Sequence, residues 1–189
     1  MKLHGTMQVN TAGHLEIGGC DTTELVKEFG SPLYVMDESL IRQNCRSYVG
    51  SFRAVYPDSE VIYASKVFST RAICRLMQEE DMGLDVVSAG ELYTALSVNF
   101  PVNRIYFHGN NKSPQELQMA IEAGVHRIVA DSFYELELIN SIASGLGKKT
   151  DWKPYWQLRH ILRWICGEFT AISDRRYLIW NPMLRPPGQ

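Results

Sequence analysis

The sequence has few cysteines and no long apolar run. The four cysteines, Cys20, Cys45, Cys74 and Cys166, are widely spaced and form no Cys-x-x-Cys pair, which argues against a zinc site or a disulfide framework. No stretch approaches the ~20 apolar residues that a membrane span requires, and the N-terminus lacks an apolar signal core. We therefore expect reduced thiols, no metal site, no membrane span and a cytoplasmic location.

The sequence also lacks a large excess of charge of either sign. The formal net charge is −2 and only 21% of the 189 residues are charged, which argues against a nucleic-acid-binding surface. The length suffices for one ordinary domain with its own core, if the chain is a complete folding unit. These features favour chemistry on a small molecule.

What the sequence does contain is a repeat. Apolar runs typical of buried parallel strands begin near Val61, Leu84, Ile105 and Ile128, at steps of 23, 21 and 23 residues. Each run precedes a segment with helical periodicity, such as the faces formed by residues 73–77, 117–121 and 136–143. Strand–helix alternation at this spacing predicts a parallel sheet, either closed as a barrel or open and doubly wound.

The predicted strand–helix junctions share the form Ser-x-x-Glu. They are Ser88 with Glu91, Ser113 with Glu116, and Ser132 with Glu135. This spacing predicts a capping box, in which the serine accepts from the first helical turn and the glutamate reaches back to the serine N–H. Each strand should therefore lead directly into a helix.

Upstream of the repeat, a longer apolar stripe indicates a helix that begins after Asp37 as N-cap and ends before Pro57. Residues 32–36 (PLYVM) resemble a short strand of a different sheet. A shorter helix should end at Gly30.

The pattern changes near Asp151. The spacing of the repeat predicts a fifth strand there, but Pro154 is unfavourable inside a central strand. From residue 148 onward the sequence contains eight Lys/Arg and three Asp/Glu. One interpretation is a basic amphipathic helix at residues 158–165 that binds a membrane surface or a partner. Another is that the segment comes from a different reading frame, an alternative exon or a mispredicted gene end, which sequencing the transcript would test.

Lys66 ends the first predicted strand of the repeat. In a strand–helix barrel the carboxyl ends of the strands carry the chemistry, and a lysine amine placed there can form a Schiff base with an aldehyde cofactor. Position alone leaves open the alternative that Lys66 is an ordinary solvated surface charge.

Four motifs together resemble a known family. They are GSPLYV at residues 30–35, YASK at 63–66, GLDVVSAGE at 83–91 and FHGNNKS at 107–113. In this order, over roughly residues 22–149, the chain resembles the barrel-type, alanine-racemase-like pyridoxal-phosphate enzymes, and among them the diaminopimelate decarboxylase branch. The last motif is the one more particular to that branch.

The resemblance implies that Lys66 is the residue that binds pyridoxal 5'-phosphate covalently, and that Asp85 supports the resulting positive charge. Glu91 would lie near the cofactor as a supporting residue, although its spacing from Ser88 also explains it as a helix cap. His108 would line the mouth of the barrel or lie in a solvated loop.

The resemblance therefore implies an α/β fold, a partial (β/α)8 TIM-type barrel with about four βα units, preceded by a segment of a separate β-domain. The expected divisions are 1–37, 38–149 and a divergent tail at 150–189. The implied activity is decarboxylation of meso-diaminopimelate to L-lysine, in a homodimer. Because the phosphate site of such barrels commonly lies after strands seven and eight, we expect little activity from this chain alone.

Two alternatives stay open at this point. The chain could be a non-catalytic form that binds a full-length subunit, or it could belong to another pyridoxal-phosphate-dependent amino-acid decarboxylase or racemase on the same scaffold.

Overall fold

A computed structural model describes residues 3–125, 127–148, 152–154 and 169–173. The chain forms two compact units, the first covering Met1–Tyr48 and the second beginning at Val49. The predicted divisions after residues 37 and 149 stay predictions.

The first unit contains a small antiparallel sheet and the first helix. Its elements are β1 (Gln8–Val9), β2 (Leu15–Ile17), β3 (Cys20–Asp21) and α1 (Thr22–Phe29), with the strands in the order β1-β2-β3. The Asp21 side chain accepts from the N–H of Thr23 and so caps α1. Helix α1 ends at Gly30 as predicted, where φ is +79°, a value that favours glycine.

The predicted upstream helix is α2 (Glu38–Val55). The Asp37 carboxylate accepts from the N–H of Leu40 at 3.0 Å, which confirms the predicted N-cap. Residues 32–36 form no strand, so the predicted strand is wrong, whereas their predicted membership of a separate β-domain stays a prediction. A strand forms only beside another backbone that pairs its N–H and C=O groups, and no strand in the described part of the chain pairs with residues 32–36; Tyr34 is 95% exposed.

The second unit contains the strand–helix repeat. Its elements are β4 (Ser59–Ala64), α3 (Arg71–Glu79), β5 (Gly83–Val86), α4 (Ala89–Leu96), a 3-10 turn (Val102–Arg104), β6 (Ile105–Phe107), α5 (Pro114–Ala123), β7 (Arg127–Ala130), α6 (Phe133–Gly145), β8 (Trp152–Pro154) and β9 (Phe169–Ser173). The strand order is β8-β7-β6-β5-β4-β9. Strands β4 to β8 are parallel neighbours, which confirms the predicted parallel sheet.

The predicted apolar helix faces pack in the core. Helix α3 buries Ile73 and Met77, α5 buries Leu117 and Ile121, and α6 buries Ile139. Full burial of such a side chain contributes roughly 1.5–3 kcal/mol, so these faces hold the helices against the sheet.

The parallel sheet extends further than the sequence pattern predicted. Strand β8 pairs with β7 from Ile128 with Trp152 to Ala130 with Pro154, so a fifth strand lies where the repeat appeared to stop. Pro154 is tolerated because it ends the strand, and β8 is at the edge of the sheet formed by the described residues. The amphipathic helix predicted at residues 158–165 lies outside the described residues.

At the amino ends of the strands, a polar network crosses the sheet over Gly83. The Glu60 carboxylate accepts from Arg104 Nε at 2.8 Å and from the Tyr106 hydroxyl at 2.6 Å. Arg104 Nη1 lies 2.5 Å from the Asp81 carboxylate. Because Gly83 has no side chain, Glu60 on β4 can pass across β5 and reach β6.

Candidate functional site

Lys66 follows β4 at the carboxyl edge of the sheet. The Ser65 N–H donates to the Asp85 carbonyl at 2.9 Å, and the Tyr63 hydroxyl donates to the Phe68 carbonyl at 3.0 Å. These bonds fix the backbone on both sides of Lys66, while the Lys66 side chain is exposed. The amine is thus anchored at its base and accessible to a carbonyl compound.

Asp85 occupies the adjoining strand. It lies in β5 opposite Ala64 of β4 and is only 8% exposed. A carboxylate at this strand end can stabilise positive charge that develops beside it. The structure therefore places Asp85 on the neighbouring strand, two positions from Lys66 in register.

Glu91 is brought close enough to Lys66 for their charges to interact. Burial raises the pKa of the Glu91 carboxyl above its ordinary value of 4.5, whereas the N–H of Val87 and the charge of Lys66 act in the opposite direction. The Val87 N–H donates to Glu91 Oε2 at 2.8 Å. Glu91 is therefore a helix-cap residue and an electrostatic neighbour of Lys66 at once.

His108 follows β6 and is half-buried at the same edge. Its backbone N–H donates to the Val86 carbonyl at 2.9 Å, which extends the pairing of the sheet by one hydrogen bond. The next residue, Gly109, has φ +133°, a conformation that L side chains rarely adopt. The structure thus fixes the backbone of His108 two strands away from Lys66.

Only one of the three predicted capping boxes is reciprocal. Ser113 accepts from the Glu116 N–H while Glu116 accepts from the Ser113 N–H. In α4 and α6 the serine caps the helix as predicted, but the glutamate accepts from the backbone N–H of the residue before that serine. Glu91 accepts from Val87, and Glu135 accepts from Asp131 at 2.7 Å. The predicted reach back to the serine N–H is wrong there, because the carboxylate instead satisfies the backbone donor that follows the strand.

These glutamates occupy the helix ends that would otherwise attract anions. The N-terminus of a helix favours negative charge, and in α4, α5 and α6 that position is taken by Glu91, Glu116 and Glu135. Glu116 also accepts from the Ala89 N–H at 3.0 Å, which links α5 to α4. The backbone donors bonded to these carboxylates are not available to a phosphate group.

Sequence reasoning missed a buried ion pair beside His108. Lys112 Nζ lies 2.7 Å from Glu135 Oε1, and the two side chains are 1% and 8% exposed. In the sequence, Lys112 stands among polar loop residues and resembles a solvated surface charge, so nothing in the sequence indicated its burial. Glu135 was predicted only as a capping residue.

The donor set favours an organic carbonyl ligand. Within the described ranges there is no group of three or more His, Cys, Asp or Glu side chains that could hold a metal ion. None of the helices in the same ranges is long and apolar enough to cross a membrane. An accessible amine with carboxylates nearby fits the aldehyde end of pyridoxal phosphate, whereas the ends of α4 to α6 do not fit its phosphate end.

The chain is similar to proteins of one known family. Residues 39–153 match the family model described as pyridoxal-dependent decarboxylase, pyridoxal binding domain. The chain is 54% identical over 151 residues to a diaminopimelate decarboxylase of Bacillus methanolicus, covering 80% of this chain and 35% of that protein. It is 48% identical over 151 residues to the enzyme of Bacillus subtilis, covering 80% and 34%.

Solved structures give the same result. The diaminopimelate decarboxylase from M. jannaschii in co-complex with L-lysine superposes with a TM-score of 0.71 at 37% identity, covering 79% of this chain and 35% of that one. The chain spans about a third of the length of the curated relatives it matches.

Proposed function

We propose that this chain, which belongs to the pyridoxal-dependent decarboxylase family, supplies the lysine-bearing part of a diaminopimelate decarboxylase. The single observation that carries the proposal is the position of Lys66: an exposed amine on a fixed backbone, one residue beyond the last sheet bond of β4. The scaffold is a partial (β/α)8 barrel.

Lys66 would hold the cofactor. Its Nζ would hold the aldehyde carbon of pyridoxal phosphate, with the aldehyde oxygen released as water, and this requires the amine in its neutral form. Glu91, close enough to Lys66 for their charges to interact, would support the charge at Nζ, and buried Asp85 would stabilise positive charge at the same edge. When bound, pyridoxal phosphate supplies an electron sink for the electrons left by the broken bond to the carboxylate.

The substrate class follows from the relatives. Similar proteins are diaminopimelate decarboxylases, and one solved relative is in complex with L-lysine. We infer that the substrate is meso-diaminopimelate, that the product is L-lysine, and that the reaction belongs to lysine biosynthesis in the cytoplasm. His108, on the loop after β6, would contribute to the same mouth.

Phosphate binding would need groups other than those seen here. The backbone donors bonded to Glu91, Glu116 and Glu135 are not available to it, and the chain spans about a third of its relatives. We therefore propose that the chain alone binds the cofactor weakly and has little activity, and that the active assembly is a homodimer of longer subunits.

Cofactor trapping tests this proposal. The purified chain would be incubated with pyridoxal phosphate, reduced with borohydride, and digested for peptide mapping. We expect the phosphopyridoxyl group on the peptide that carries Lys66, and its loss in Lys66→Ala. Lys27→Ala is the matched control, because Lys27 is also an exposed lysine and is paired with Glu24 on α1. Labelling spread evenly over exposed lysines, with no preference for Lys66, would refute the assignment.

A second candidate is a non-catalytic form that binds a full-length subunit. It is favoured by the occupied helix ends, which leave the site incomplete for phosphate. Co-purification of the tagged chain with an intact diaminopimelate decarboxylase subunit, without turnover by the isolated chain, would support it. A monomeric chain that decarboxylates diaminopimelate unaided would exclude it.

A further inference from the structure

The buried ammonium of Lys112 has three oxygen neighbours, as many as it has N–H groups. Nζ donates to the Gly109 carbonyl at 2.5 Å and to the Val129 carbonyl at 2.8 Å, and it lies 2.7 Å from Glu135 Oε1. It also lies 5.9 Å from the centre of the Phe107 ring, within the range of a cation–π contact. One side chain thus connects the loop after β6, strand β7 and helix α6.

This arrangement exceeds what folding requires. A buried ion pair recovers its desolvation cost only with good geometry and further hydrogen bonds, and apolar residues of similar volume often serve stability equally well. Capping of α6 does not need Lys112, because Ser132 accepts from the Glu135 N–H at 3.1 Å and Glu135 Oε2 accepts from Asp131. Apolar residues could not replace the bonds to the Gly109 and Val129 carbonyls, and the first of these reaches the loop after β6.

The Gly109 carbonyl belongs to the residue that follows His108. At φ +133° the Gly109 backbone has a conformation that L side chains rarely adopt but that is only one of several open to glycine, so the bond from Lys112 to its carbonyl restricts a residue that is otherwise conformationally free. His108 is two strands from Lys66, which corresponds to about 10 Å at the usual strand spacing. That distance is comparable to the length of a cofactor with its attached amino acid.

We propose that Lys112 is a positioning residue for the ligand site. Its ammonium, itself oriented by Glu135 and the Val129 carbonyl, fixes the Gly109 carbonyl and so holds the His108–Gly109 backbone at the carboxyl edge of the sheet. The role in ligand binding rests on the proposed function, whereas the effect on the loop does not.

The test separates positioning from stability. Lys112→Met alone should lower the unfolding midpoint, because it leaves Glu135 buried without its cation. Lys112→Met combined with Glu135→Gln removes both charges and should recover most of that loss. Lys148→Met is the matched control, because Lys148 Nζ also donates to two carbonyls, those of Ile121 at 3.0 Å and Glu122 at 2.6 Å, at the opposite end of α5.

The carbonyl of Gly109 can be observed directly. Gly-Asn occurs once in the sequence, at residues 109–110, so a chain with ¹³C-carbonyl glycine and ¹⁵N-asparagine gives one cross-peak for that peptide bond. We expect this carbonyl shift to move upfield in the double variant and to stay unchanged in Lys148→Met. We also expect half-maximal trapping of pyridoxal phosphate at Lys66 to require on the order of 10-fold more cofactor in the double variant, the change expected when one hydrogen bond that holds the site is lost.

Each outcome is decisive. An unchanged Gly109 cross-peak in the double variant overturns the proposal and leaves Lys112 a structural charge. A shifted cross-peak with unchanged trapping at Lys66 also overturns it, because the loop then makes no contribution to the ligand site. A shifted cross-peak in a chain whose wild type never traps cofactor contradicts the proposed function but supports the positioning of the loop.

Discussion

Replacing Gly83 by alanine should destabilise the second unit. A Cβ at this position would lie 3.0 Å from the Arg104 backbone oxygen, 3.2 Å from Glu60 Oε1 and 3.2 Å from Ile62 Cγ1. The first of these contacts is with backbone in the turn that enters β6, which cannot move as a side chain can. The methyl group would therefore strain the sheet and displace Glu60.

The magnitude is the sum of opposing effects. Inserting a methyl group into a packed site costs roughly 1–3 kcal/mol. Displacing Glu60 weakens its bonds to Arg104 and Tyr106, each worth about 1 kcal/mol. Loss of chain entropy in the unfolded state offsets about 0.4–1 kcal/mol. We expect the free energy of unfolding to fall by about 2 kcal/mol.

The assay is urea unfolding of Gly83→Ala followed by fluorescence and circular dichroism. Gly90→Ala is the control, because among the described residues its Cβ would meet only the Ser88 Oγ, at 3.9 Å, within the first turn of α4. That variant should be neutral or more stable by up to about 1 kcal/mol. If Gly83→Ala proves as stable as Gly90→Ala, the close approach of Glu60 and Arg104 over β5 is refuted.

The remaining predictions concern the carboxyl edge. Lys66→Ala should abolish trapping of pyridoxal phosphate without changing the unfolding midpoint, because the side chain is exposed. Burial raises the pKa of Glu91 above 4.5, so the stability associated with its protonated form is present at lower pH and is lost as pH rises through the folded-state pKa. The free energy of unfolding of Glu91→Gln should therefore rise relative to that of the wild type as pH increases above 4.5. Urea unfolding across that range measures this difference, and a difference that does not change with pH would contradict the raised pKa. Ser113→Ala should lower the free energy of unfolding by about 1 kcal/mol, since it removes the acceptor for the Glu116 N–H; an unchanged urea midpoint would exclude the cap.

Much of the second unit could be predicted because its signals are local. Strand starts followed from apolar runs, and helix starts followed from a serine that accepts from its own first turn, as at Ser88 and Ser113. The upstream helix followed from Asp37 in the same way. Such features depend on a few neighbouring residues, so sequence alone suffices to find them.

The errors arose where a distant backbone decides. Residues 32–36 have strand-like composition, but no strand in the described residues pairs with them. Pro154 argued against a fifth strand, yet residues 152–154 pair with β7 at the sheet edge, where a proline at the last position is tolerated. Pairing is a property of two segments, and composition describes only one.

The sequence by itself determined the family, the parallel strand–helix order and the identity of Lys66 as the candidate cofactor residue, because these depend on motifs and periods within short segments. Only the tertiary structure decided which charges meet. It brought Glu91 into the field of Lys66, buried Lys112 against Glu135, and left the surface of Gly83 open for Glu60 to cross. Burial and distance set the strength of a charge interaction, and both are known only once the strands lie side by side.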